Sequence, residues 1–175
     1  MNDMVHLIEP LIPALRRYAR VLVKDRFAAD DLVQDCLERA VSRWHQRRPD
    51  ADPRTWMFTI LHHLAVNRFR QQRRSPVEVA IEDAPERDVS HMANQEKTIE
   101  VQHMLRCVDL LPDEQRTVLF LVALEDLSYA QTADVLGIPV GTVMSRLSRS
   151  RDRLIELMDG VRKEQPPKPF LRRVK

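Results

Sequence analysis

Thr142, Ser145, Arg146 and Arg149, with Arg153 one turn further on, recur at spacings that place hydroxyls and guanidiniums along one side of a helix. Such groups donate hydrogen bonds to base edges and phosphates in a major groove, which is recognition chemistry and makes no bonds. The elements that must position them are legible in SYAQTADVLGIPVGTVMSRLSRSRDR, residues 128–153. Ser128 and Gln131 have the spacing of a capping box that opens a helix. Gly137 suits the left-handed position that ends it, and Pro139 fits the first turn of the next helix. Ala133 permits close approach, while Leu136, Ile138, Val143 and Leu147 give the two helices a shared apolar contact. The unit has the layout of a DNA-reading helix-turn-helix.

A second set of polar groups lies upstream. Leu32, Val33, Cys36, Leu37, Ala40, Val41 and Trp44 form an apolar stripe on a helix following Phe27, and Asp31, Gln34, Asp35 and Glu38 form an acidic strip opposite it. In PRTWMFTILHHLAVNRFRQQRR, Trp56, Met57, Ile60, Leu61, Leu64 and Ala65 are available for packing, leaving His62, His63, Asn67, Arg68 and Arg70 on another face. Interleaved aromatic and basic side chains suit single-stranded or melted DNA, where cations follow phosphates and rings stack on bases.

The chain has 175 residues, 43% of them hydrophobic and only 3 of them glycine. With neither a Gly-rich phosphate loop nor the turn density of a sandwich or barrel, the expected fold is all-α. Net charge is +2, but charge is unevenly spread: residues 62–74 hold four arginines and no acid, and residues 75–100 hold seven acids. Pro76, Pro85 and the absence of a sustained apolar period mark a flexible acidic linker between two small helical domains. No apolar run approaches the ~20 residues of a membrane span, so no membrane insertion and a cytoplasmic location are expected. Cys36 and Cys107 fall within helical patterns as buried thiols, although a redox pair is also compatible with two cysteines. His103 and Cys107 are spaced to share a metal, but no further ligand pair lies nearby, so neither metal nor cofactor is expected. No nucleophile with a base partner is evident, which argues against an enzyme.

Together, DDLVQDCLERAVSRW, RTWMFTILHHLAVNRFRQQRR and LLPDEQRTVLFLVALEDLSYAQTADVLGIPVGTVMSRLSRSRDRL, in that order over nearly the whole chain, resemble an extracytoplasmic-function sigma factor. The resemblance implies a bacterial transcription initiation factor of the stress-response type, which directs core RNA polymerase to particular promoters. It implies a first domain over residues 1–74, a linker over 75–95, a helix-turn-helix domain over 96–160 and a basic tail over 161–175. By the same resemblance Asp31, Gln34, Asp35 and Glu38 dock on the β′ clamp helices of the polymerase. Trp56, His62, His63, Asn67, Arg68 and Arg70, with the loop from Gln46 to Pro53, hold the opened −10 element. Thr142, Met144, Ser145, Arg146, Arg149 and Arg153 read the −35 duplex. His63 stands where many relatives carry Asn, and Met144 where they often carry Arg. A thioether cannot make arginine's bidentate contact to guanine, which is worth about 1–3 kcal/mol of discrimination. The resemblance further implies an anti-sigma factor as partner. Two other readings fit the residues: a sigma-like adaptor that sequesters an anti-sigma factor, and a free-standing helix-turn-helix repressor.

Overall fold

Local capping chemistry sets most of the helix boundaries. In the computed structural model, which describes residues 2–48, 50–74 and 95–164, α1 (Asn2–Ile8) runs through a 3-10 turn (Glu9–Leu11) into α2 (Ile12–Val23). Lys24 ends α2 in a left-handed conformation, φ 60°, with its N–H on the Arg20 carbonyl at 3.1 Å. Asp25 then caps α3 (Arg26–Arg43) by accepting from the Ala28 N–H at 2.6 Å. After a 3-10 turn (Trp44–Gln46), Asp52 does the same for α4 (Pro53–Arg74): it accepts from the Arg54 and Thr55 N–H groups, both at 3.1 Å, and from the Thr55 hydroxyl at 2.7 Å. Burial pushes the Asp52 carboxyl upward, but these hydrogen bonds and the Arg54 charge outweigh it and hold the group below the usual carboxylate value.

The second half contains α5 (Gln95–Asp109), α6 (Asp113–Ala123), α7 (Tyr129–Leu136) and α8 (Val140–Glu164), and no strand occurs among the described residues. The all-α expectation therefore holds, with a helix-turn-helix as the C-terminal unit. The acidic linker over 75–94 and the tail beyond residue 164 lie outside the described residues.

Apolar faces of α2, α3 and α4 close on one another through Leu15, Tyr18, Leu32, Cys36, Met57, Phe58 and Leu61, all buried. Each such side chain contributes about 1.5–3 kcal/mol by leaving water. A smaller cluster of Val118, Ala133, Val143 and Leu147, flanked by Leu136 and Ile138, holds the helix-turn-helix together, as the apolar spacing required. The larger core does not stop at the first unit. Phe120 and Leu121 of α6, Leu127 of the turn that follows and Val135 of α7 are packed into it, and the Tyr18 and Phe120 rings stack with centroids 5.8 Å apart. The two units thus share one hydrophobic interior, which spacing along the chain had not revealed.

Candidate functional site

The helix-turn-helix forms for the reasons its sequence suggests. Ser128 Oγ accepts from the Gln131 N–H at 3.1 Å, Gln131 Oε1 accepts from the Ser128 N–H at 2.9 Å, and Gly137 adopts φ 64°. Pro139 lies just before α8 and not in its first turn; its carbonyl accepts from the Thr142 and Val143 N–H groups at 2.9 and 3.2 Å. Val143, Leu147 and Ser150 face inward, so Met144, Ser145, Arg149 and Arg153 lie exposed on the outer side of α8. Ser145 Oγ donates to the Thr142 carbonyl at 3.0 Å, and Arg153 pairs with Glu156 at 3.2 Å. Thr142 is half-buried. Arg146 stands apart from this group: it forms an ion pair with Glu114 of α6 at 2.7 Å, its side chain is only 25% exposed, and it lines a cleft with Leu22 and His62 of the first unit.

On α4 the expected residues divide among three sides, since successive side chains are ~100° apart. Trp56, His63, Asn67 and Arg70 share one side, where the last three are exposed. Trp56 is half-buried, meeting Trp44 edge-on at 5.8 Å, while the Arg47 guanidinium lies over the Trp44 ring, 4.9 Å from its centroid. His62 does not join them. It turns into the interior, with Nδ1 3.0 Å from the Tyr18 hydroxyl. Arg68 turns the other way, donates to the Ala28 carbonyl at 3.4 Å, and lines a groove between α3 and α4 with Asp31, Gln34, Asp35 and Asn67.

Burial, and secondarily the charge of His63, pushes the His62 imidazole from the usual 6.5 down to about 4. Between those values the unfolded chain binds the extra proton, so folding stability must fall as pH drops from 6.5 toward 4 and is complete above that window. The expected loss is about 3 kcal/mol. Asp52, held below 3.8, acts only at still lower pH. Urea unfolding at pH 7.5, 6.0 and 5.0 should show this slope in the native protein and a flatter one in His62→Gln; equal slopes would refute the assignment.

The acidic strip of α3 is exposed along the rim of the α3–α4 groove, with Gln34 donating to Glu38 at 3.1 Å. Two features escaped the sequence reading. Val41, expected in the buried stripe, is 54% exposed, and Phe27 is 80% exposed. At 14 residues' separation the two fall on the strip's own side of α3, one at each end, so acids are flanked by apolar contacts. The signal was present in the i, i+4, i+7, i+11, i+14 run from Phe27 through Asp31, Gln34 and Glu38 to Val41. The cysteines are buried and free; Cys36 donates to the Met57 carbonyl at 3.6 Å, and burial, reinforced by Asp35, pushes its thiol up to about 12. Cys107 lies 3.7 Å from His103 Nε2, and no cluster of three candidate metal ligands occurs among the described residues.

Comparison with known proteins shows which family the chain resembles in both of its halves. Residues 8–62 match the family model "Sigma2 domain of PhyR", and residues 102–154 match "Sigma-70, region 4". The ECF RNA polymerase sigma factor EcfG of Rhodopseudomonas palustris is 33% identical over 150 residues, covering 84% of this chain and 80% of that relative. The chain belongs to the ECF RNA polymerase sigma factors. The RNA polymerase sigma factor HrpL of Pseudomonas syringae is 30% identical over 154 residues, 85% of this chain and 83% of its own. Among solved structures, the sigma factor RpoE of Bartonella quintana, in complex with the anti-sigma factor NepR, superposes with a TM-score of 0.77 at 28% identity, covering 91% of this chain and 98% of that one. This sigma factor accordingly acts in promoter-specific transcription initiation. No described helix is long and apolar enough to cross a membrane.

Proposed function

We propose that this sigma factor works through three surfaces on two domains, residues 1–74 and 96–160, joined by the linker 75–95 and followed by the basic tail 161–175. Asp31, Gln34, Asp35 and Glu38, with Phe27 and Val41 at the ends of the strip, dock on the β′ clamp helices of core polymerase. Trp56, His63, Asn67 and Arg70 meet the opened −10 element; His62 serves the interior and Arg68 the α3–α4 groove. Ser145, Arg149 and Arg153, with Thr142 and Met144, read the −35 duplex, and Arg146 joins them once released from Glu114. The observation that carries this reading is the presence, in one folded chain, of three separate polar faces on α3, α4 and α8, each of the charge and ring content its partner requires. The action is binding without bond chemistry, carried out in the cytoplasm with no cofactor. An anti-sigma factor controls it, as the likeness to the RpoE–NepR complex supports.

Run-off transcription with reconstituted polymerase over a genomic library tests the reading, and absence of any promoter-specific transcript would overturn it. Within that assay, Arg149→Ala should lower promoter affinity about 10–100-fold, the loss of one good base or phosphate contact, while polymerase association stays intact. Loss of both would mean misfolding.

The adaptor reading has one specific observation in its favour. The N-terminal match is to a PhyR domain, and a PhyR solved with NepR is described as an anti-anti-sigma factor, though at 16% identity it supports the fold alone. An adaptor has no need of the exposed cations on α8, and absence of any promoter-specific transcript beside tight binding of an anti-sigma factor would favour it.

A further inference from the structure

Glu125, in the turn between α6 and α7, is 1% exposed and carries its charge into the seam between the two units. Both carboxylate oxygens are engaged by the opposite unit. Oε1 accepts from Arg17 Nε and Nη2 at 3.1 and 2.9 Å, and Oε2 accepts from Arg54 Nη2 at 2.8 Å; the same Nη2 also donates to the Glu125 carbonyl at 2.8 Å. Arg17 comes from α2 and Arg54 from the first turn of α4, so one acid ties two helices of the first unit to the second. Close by, Gln131 Nε2 donates to Asp52 Oδ2 at 3.2 Å, so the side chain that caps α7 also grips the residue that caps α4. Elsewhere between the units, His62, Ala65 and Phe69 line a cleft of about 280 Å³ with Glu114 and Arg146.

This arrangement cannot bind both promoter elements together. Elements centred near −10 and −35 lie about 25 base pairs apart, or ~85 Å along B-DNA. Side chains of α4 and α8 line one narrow cleft, so with helices 10–12 Å across the two DNA-facing sides are within ~30 Å of each other. The 20 residues between Arg74 and Gln95 can span up to ~70 Å, enough to keep separated units tethered along the promoter.

We propose that Glu125 is an electrostatic latch, clamping Arg17 and Arg54, that holds the free protein in a closed, promoter-incompetent form which must open for both elements to be engaged. The proposal rests on the promoter-reading function above. A buried carboxylate stripped of its cations is strongly disfavoured, whereas the same carboxylate in an opened, hydrated turn is not. Removing the cations therefore shifts the balance toward the open form, and neutralising the acid as well removes that drive.

The test is small-angle X-ray scattering of the full chain, with circular dichroism as a check on folding. Arg17→Gln/Arg54→Gln should enlarge the radius of gyration at unchanged helicity, shifting the open-to-closed ratio at least about tenfold. Adding Glu125→Gln to that pair should return the compact radius, which misfolding would not do. Glu125→Lys, placing a third cation against the two arginines, attacks the latch from the other side and should also open the protein. An unchanged radius in the opened variants would overturn the latch, as would a triple variant that stays expanded. Loss of helicity in both Arg17→Gln/Arg54→Gln and Glu125→Lys would mean that the units fold only together and would overturn it equally. Scattering reads the latch without polymerase or DNA, so a failed sigma assignment would show separately, in the run-off assay.

Discussion

Phe58→Ala should lower the unfolding free energy by about 3–5 kcal/mol, the usual cost of emptying a phenylalanine site in a packed core. Phe58 has no exposed surface, tilts against Tyr18 at a centroid distance of 5.3 Å, and lies beneath the Arg54 guanidinium at 5.8 Å. Few positions are less able to collapse around a void, because α2, α3 and the second unit all press on α4 here. Domains are stable by only about 5–15 kcal/mol, so this one change removes a large part of the total. Urea unfolding followed by circular dichroism measures it directly. A loss under 1 kcal/mol would show that the ring is not part of the core. Because Phe58 also supports the arginine that holds Glu125, its loss should loosen the seam between the units before the helices themselves melt.

Ser128 with Gln131, and Gly137 before Pro139, are local signals whose partners are a few residues away, and the capped helix-turn-helix they announce is the one that forms. The apolar period of α3 likewise gave its inward face, with one error at Val41. On α4 the apolar period is not selective. Three neighbours surround it, from α2, α3 and α7, so apolar residues recur on nearly every side and no single stripe stands out. A helical period fixes angles between side chains, but it does not say which neighbour occupies each angle. His62 and His63 could therefore be set ~100° apart from sequence, yet only tertiary packing decides that the first meets Tyr18 and the second meets water. Glu125, in the stretch Glu125-Asp126-Leu127-Ser128, reads as an ordinary loop acid. Its burial depends on Arg17 and Arg54, 108 and 71 residues away, and no local pattern records such a contact.

Asp35→Arg should weaken association with core polymerase about 100-fold or more, since reversing a charge at a complementary interface exchanges attraction for repulsion worth several kcal/mol. The site suits such a test. Asp35 is exposed and in mid-strip, one turn from Asp31 and beside Gln34, so its removal creates no cavity and should leave the core of α3 intact. It faces the groove that also holds Arg39 and Arg68, and a third cation there would repel them locally. That effect is confined to a hydrated surface and should cost the fold no more than about 0.5 kcal/mol. Stability and polymerase affinity should therefore separate: nearly native urea midpoints beside a large loss in binding, measured by fluorescence anisotropy of the labelled protein titrated with core enzyme. Asp35→Asn, which removes one charge without reversing it, should fall between, and the gap between the two variants should narrow as salt is raised, because exposed charges are screened over ~10 Å at 0.1 M. Affinity unchanged in Asp35→Arg would remove α3 as the polymerase-docking surface, whatever the scattering and transcription experiments return for the seam and for α8.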